Sequence, residues 1–301
     1  MLRRTCAVIA FGWLLCVAPA TGAAQDLRKH GEYLFRAAGC ATCHTNEKNR
    51  GAPLAGGRAL KTPFGVFYTP NITPDPETGI GRWSEADFTR ALRAGVSPEG
   101  QHYYPAFPYP SYARMRDEDV RVLWAYLSKA KPVRRANKPH ELLWFVRYRP
   151  LLGFWKALFF RPGPYQSRSD RTEIWNRGAY LANAVGHCGE CHTPRNLLGG
   201  MKERMAMAGT RAGPEGDPIP NITPHKTSGI GRWRESDLME YFDSGMMPDG
   251  DFAGDIMAEV VDNSLRHLTQ DDRRAIAGYI LSLPPVDNPV RKEKKNTDSD
   301  F

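Results

Sequence analysis

Cys-x-x-Cys-His occurs twice in the chain, as Cys40-Ala41-Thr42-Cys43-His44 and as Cys188-Gly189-Glu190-Cys191-His192. No other feature constrains the fold as much. Two thiols so placed can each add to a vinyl group of one porphyrin, and the next residue then carries its imidazole under the ring plane to ligate the iron. The pattern implies two covalently bound haem c groups, one on Cys40, Cys43 and His44, the other on Cys188, Cys191 and His192. Zinc is the competing reading, because a four-cysteine site takes two such pairs. Those pairs normally lie roughly 15–20 residues apart, whereas these sit in different halves of the chain, and zinc needs no His after each second Cys. A thioredoxin-like dithiol belongs in a βαβ context, which the sequence does not suggest.

Residues 1–24 read as a secretory signal peptide: Arg3 and Arg4, an apolar run from Ala7 to Ala18, then small residues to Ala24. The run falls short of the about 20 apolar residues that a membrane span needs; an uncleaved anchor is the alternative. Cys16 follows Leu14-Leu15 without the small residue expected before a lipid-modified cysteine. Cleavage would remove Cys6 and Cys16, so every remaining thiol would belong to a haem motif. None would be left for a disulfide, although the compartment is oxidising. A bacterial periplasmic location is expected. The formal charge of +8 drops by the two leader arginines and again by the haem propionates. Basic residues could steer an acidic redox partner, but a solvated surface explains them equally well, and no nucleic-acid motif is present.

The halves repeat. Gly31-x-Tyr33-Leu34 precedes the first motif and Gly178-x-Tyr180-Leu181 the second, each on a segment with helical periodicity. A Gly inside a helix costs stability, so its recurrence predicts a close helix crossing. Gly-rich loops follow the motifs, and then Asn71-Ile72-Thr73-Pro74 with Gly79-Ile80-Gly81-Arg82-Trp83 matches Asn221-Ile222-Thr223-Pro224 with Gly229-Ile230-Gly231-Arg232-Trp233. Trp83 and Trp233 could lie on the haem edge with Arg82 and Arg232 near the propionates, or simply fill a small core. Acidic starts at Ser84 and Arg234 lead short helices that end at Gly95 and Gly245. Closing helices are predicted over Asp117–Leu127 and Thr269–Leu283, with Asp117 and Thr269 as caps.

The expected fold class is therefore all-α: two tandem cytochrome c-like helical domains with long haem-wrapping loops, at 25–131 and 173–286. So few helices bury little apolar area unaided, so the porphyrin must serve as core. Residues 132–172 join the domains. Within them Glu141 to Phe160 is aromatic and apolar, but Arg147, Arg149 and Lys156 argue against a membrane span. An inter-domain helix is expected there, or a patch that docks on a membrane subunit or lipid surface. Residues 287–301 form a charged tail expected to be disordered.

The usual sixth ligand of a c-type haem is a Met thioether, which raises the potential. Met115 is the one methionine between His44 and the second motif, and so leads for haem 1; His102 and an open position follow. For haem 2, Met257 is the expected ligand, ahead of Met246 and Met247. Met201, Met205 and Met207 lie too close to the motif and are assigned to packing.

The chain resembles the cytochrome c subunits of periplasmic, membrane-associated dehydrogenases for alcohols, aldehydes and sugar acids. The marks are Thr62-Pro63-Phe64-Gly65, both Asn-Ile-Thr-Pro loops, both Gly-Ile-Gly-Arg-Trp segments and Cys191-His192-Thr193-Pro194-Arg195-Asn196. With two motifs it resembles a di-haem member. Relatives often carry Pro-Ala-Met-Pro-Tyr where this chain has Pro105-Ala106-Phe107-Pro108-Tyr109; the resemblance implies a ligand there that Phe107 cannot supply.

Two functions follow as expectations. One is single-electron transfer from a partner dehydrogenase to a quinone, an oxidase or another cytochrome, with membrane association and no catalytic residue beyond the haem ligands. The other is a di-haem enzyme, peroxidase-like or thiosulfate-oxidising, with one open or unusual haem site. A non-redox binding role is a distant third.

Overall fold

The structure is a computed structural model that describes residues 21–290 apart from 214–215, and no side chains for 21–24. Residues 1–20 of the leader expected over 1–24, and residues 291–301 of the tail expected over 287–301, lie outside these residues.

In each half a long helix carrying the repeated Gly crosses the closing helix. In the first half α1 (Thr21–Ala37) crosses α5 (Asp117–Leu127). In the second, α7 (Glu173–Tyr180) crosses α11 (Gln270–Leu281). The glycines are required at both crossings. A Cβ on Gly31 would lie 2.6 Å from Tyr126 Cβ, and one on Gly178 would lie 1.9 Å from the Ala275 carbonyl oxygen. Their recurrence thus reflects backbone approach.

Between the paired helices stand the motif helices α2 (Cys40–His44) and α8 (Gly189–His192). Next come α3 (Glu85–Ala94) and α9 (Glu235–Ser244), and then the loop helices α4 (Tyr109–Tyr112) and α10 (Asp255–Asn263). Ser84 caps α3 through a capping box with Asp87, and Gly95 and Gly245 end α3 and α9 at φ 58° and 81°. Thr269 caps α11 by accepting from Asp272 N. At α5 the N-cap is Arg116, and Asp117 is the first helical residue rather than the cap. Its carboxylate still favours that end through the helix dipole.

One residue more separates Gly178 from Cys188 than separates Gly31 from Cys40. The extra residue is absorbed as a π-helical turn over Leu181–Val185, with His187 at φ 41° just before the motif. A bulge keeps both the helix crossing and the motif in register.

Two features depart from the sequence reading. A small antiparallel sheet interrupts the helical architecture: β1 (Ala59–Thr62) and β2 (Gly65–Tyr68) form a hairpin around Pro63-Phe64, and β3 (Glu141–Leu142) adds to β2. The segment 141–160 is therefore not one helix. Its helical part is α6 (Leu151–Phe159), entered from Pro150, while Arg147 and Arg149 are spent on the carbonyls of Leu142 and His102. Lys156 on α6 donates to the carbonyls of Ala94 and Gly95 at 2.6 and 2.8 Å, tying the connector to the end of α3. The hydrophobic core also runs through both halves as one cluster, joining Leu34, Met115 and Val120 to Tyr180, Phe242 and Ile276.

Candidate haem sites

Each motif histidine is oriented by a repeated loop. His44 Nδ1 donates to the Pro70 carbonyl at 2.8 Å, and His192 Nδ1 donates to the Pro220 carbonyl at 2.9 Å. With Nδ1 so engaged, Nε2 keeps its lone pair for a metal. Burial lowers the pKa of both rings, which favours the neutral imidazole that ligation requires. The carbonyls belong to Pro-Asn-Ile-Thr-Pro segments that are folded alike. Asn71 accepts from Thr73 N at 2.9 Å and donates to the Val133 carbonyl at 2.7 Å; Asn221 accepts from Thr223 N at 2.9 Å and donates to the Val286 carbonyl at 2.8 Å. The asparagines pin each loop to the chain leaving the closing helix. Sequence reading missed the carbonyls of Pro70 and Pro220, although the invariance of the residue before each Asn within this chain signalled them.

The four motif thiols are half-buried, and Cys43, Cys188 and Cys191 border internal space. Burial pushes Cys40 and Cys191 up to about 12 and Cys188 to about 11. A cavity of about 1300 Å³ opens over Cys188, Cys191 and His192, walled by Ile230, Trp233, Phe242, Ile276 and Ile280, with Met257 facing it. It extends to Thr42 and Cys43 of the first motif. No group of three or more His, Cys, Asp or Glu side chains gathers as a metal site among the described residues, so the four thiols do not converge as a zinc knuckle pair. Apolar walls, paired thiols at the rim and a neutral imidazole with its Nε2 unspent fit a porphyrin.

Met257 is half-buried and Met115 is fully buried, at 0% exposure, directly before α5. His102, the other candidate in the first half, faces the connector: its Nδ1 lies 2.8 Å from Lys156 Nζ. Met207 is buried beside Thr193, whose hydroxyl accepts from its backbone N–H.

The motifs lie close together across the interface. Ser111 Oγ donates to Glu190 of the second motif at 2.6 Å, and the Tyr112 ring meets that of His187, next to the second motif, at a centroid distance of 5.3 Å. In the reverse sense, Arg58 donates to the Thr42 carbonyl of the first motif at 2.7 Å and forms an ion pair with Glu259 on α10. Each half's ligand-side loop thus braces the other half's motif.

These features define a c-type cytochrome with two haem sites, and the chain belongs to the cytochrome c family; the cytochrome c family model matches residues 29–131. It is 46% identical over 261 residues, 85% of its length and 86% of the relative's, to a "diheme cytochrome c-type" protein of Cereibacter sphaeroides. It is 40% identical over 92% of its length to the cytochrome c subunit of the quinone alcohol dehydrogenase of Gluconobacter oxydans, and 41% identical over 84% to the cytochrome subunit of fructose dehydrogenase of Gluconobacter japonicus. It spans only 58% and 52% of those two longer proteins. The protein carries covalently bound haem c and serves electron transfer.

Proposed function

We propose that the protein is a periplasmic di-haem electron carrier that accepts single electrons from a partner dehydrogenase and passes them to a quinone, an oxidase or another cytochrome. The reading rests on the bracing of each haem motif by the opposite half, which holds two redox sites against one another. The haems supply the iron couple. The chain's residues set its environment: the motif cysteines fix the ring, His44 and His192 ligate below it, Met257 ligates the second iron, and apolar walls exclude water. No catalytic acid or base is needed.

The partner and the membrane enter through the connector. Trp144, Phe154 and Leu158 are 83, 72 and 60% exposed, and Leu197 is 97% exposed. Exposed apolar side chains of this kind support docking onto a dehydrogenase or the outer face of the inner membrane. Among the described residues no helix is long and apolar enough to cross a membrane. Export is tested by cell fractionation, where protein in the cytoplasm would refute the location. Electron flow is tested by mixing reduced dehydrogenase with the oxidised cytochrome. Stoichiometric reduction of both haems supports the carrier, and peroxide turnover without a dehydrogenase would instead favour the di-haem enzyme.

A further inference from the structure

We infer that the chain supplies no sixth ligand to haem 1, and that this iron is open to a small neutral ligand such as carbon monoxide or nitric oxide. The inference rests on haem attachment at Cys40, Cys43 and His44, and is independent of the direction of electron flow.

The internal repeat carries the argument, because its register is fixed by backbone hydrogen bonds. Gly95 and Gly245 end equivalent helices. Ser97 N donates to the Gln101 carbonyl at 2.9 Å as Met247 N does to that of Asp251 at 2.7 Å. Tyr103 N donates to the Gly95 carbonyl and Ala253 N to that of Gly245, both at 2.8 Å. Bridges pair Val96 with His102 and Met246 with Phe252. Four residues beyond Tyr103 stands Phe107; four beyond Ala253 stands Met257. Phe107 therefore takes the place of the haem 2 thioether, and a phenyl ring has no lone pair for iron.

No neighbour compensates. Met115 lies two residues before α5, as Leu268 lies two before α11, so its counterpart in the second half is Leu268 and not the thioether Met257. A ligating atom must face the porphyrin, and in a haem-binding fold it borders the space the ring takes. His44, Met257 and the four motif cysteines are partly exposed and His192 keeps 8%; Met115, at 0%, keeps none. His102 corresponds to Phe252, and its ring is engaged by Lys156.

The chemistry of the segment selects the ligand. Phe107 is ringed by Tyr103, Tyr109 and Tyr112 at centroid distances of 5.6, 6.3 and 5.8 Å, and the Tyr112 hydroxyl is committed to the Ala38 carbonyl. Lys156 lies 4.9 Å from the Tyr109 ring but is spent on the Ala94 and Gly95 carbonyls, so this aromatic wall suits an uncharged diatomic better than an anion, whose desolvation it would not offset.

The test uses full-length protein with a pyridine haemochrome showing two haem c per chain. After dithionite reduction, carbon monoxide titration should saturate at one per chain, leaving the second haem low-spin. Phe107→Met should abolish that uptake and add a second Met–iron charge-transfer band, while Met115→Leu should leave uptake unchanged. A wild type that binds no carbon monoxide, or one that gains uptake only on Met115→Leu, would overturn the inference and make Met115 the ligand. Failed delivery of electrons from a dehydrogenase would count against the proposed function and leave this stoichiometry standing.

Discussion

Substituting Gly178 by Ala should separate a structural glycine from an incidental one, with Gly278→Ala as its control. Both glycines sit at the α7–α11 pair. A Cβ at 178 would lie 1.9 Å from the Ala275 carbonyl oxygen and 2.9 Å from Tyr279 Cβ, whereas one at 278 would meet nothing within 4 Å. The nearest obstacle at 178 is backbone, so relief requires the helices to part. Overpacking of this kind costs about 1–3 kcal/mol and sometimes more, while the better helix propensity of Ala returns about 0.8–1 kcal/mol. At 278 only the second effect operates. The net cost at 178 is about 0–2 kcal/mol, so with roughly 2–4 °C per kcal/mol for a chain of this size, Gly178→Ala should lower the melting temperature by up to about 8 °C while Gly278→Ala should raise it by about 2–4 °C. The assay is thermal unfolding of the haem-loaded proteins by circular dichroism. Equal melting temperatures for the two variants would refute the claim that backbone approach sets the repeated Gly.

Other expectations follow from the interface and the sites. Arg58→Met leaves Glu259 without its partner in a mostly buried pair; it should cost about 1.5–3 kcal/mol in urea unfolding, and an unchanged midpoint would contradict the bracing role. Burial alone would raise the Asp272 carboxyl, but hydrogen bonds from Arg177 and Tyr33 hold it below its ordinary 3.8. A depressed folded pKa gives stability that is complete above the unfolded value and is lost as pH falls through the folded one. The urea midpoint of the wild type should therefore fall below about pH 4, and that of Asp272→Asn should fall less; parallel declines would refute this. Replacing Cys188 and Cys191 together by Ala should halve the haem content measured by pyridine haemochrome, and full retention would remove the second motif from haem attachment.

Much of this site was legible in the sequence because its determinants are local. The motifs, the cap signals at Ser84 and Thr269 and the terminating glycines act within a few residues. The recurrence of Gly31 and Gly178 even predicted a helix crossing. What escaped depends on contacts distant in sequence. The hairpin around Pro63-Phe64 has strands of four residues, too short for a clear alternation, and is extended by β3 from the connector. Pro150 and the carbonyl contacts of Arg147 and Arg149 broke the long helix expected over 141–160. The π turn before Cys188 becomes visible only when the two repeats are counted against each other.

The central claim is that the two haems exchange electrons within one chain. The direct measurement is rapid injection of a single electron into the oxidised protein, followed by absorbance at wavelengths that distinguish the two haems. The account predicts a redistribution phase between them whose rate does not change with protein concentration. A phase that slows in proportion on dilution, or no redistribution at all, would mean that the halves hold two haems but do not form a relay.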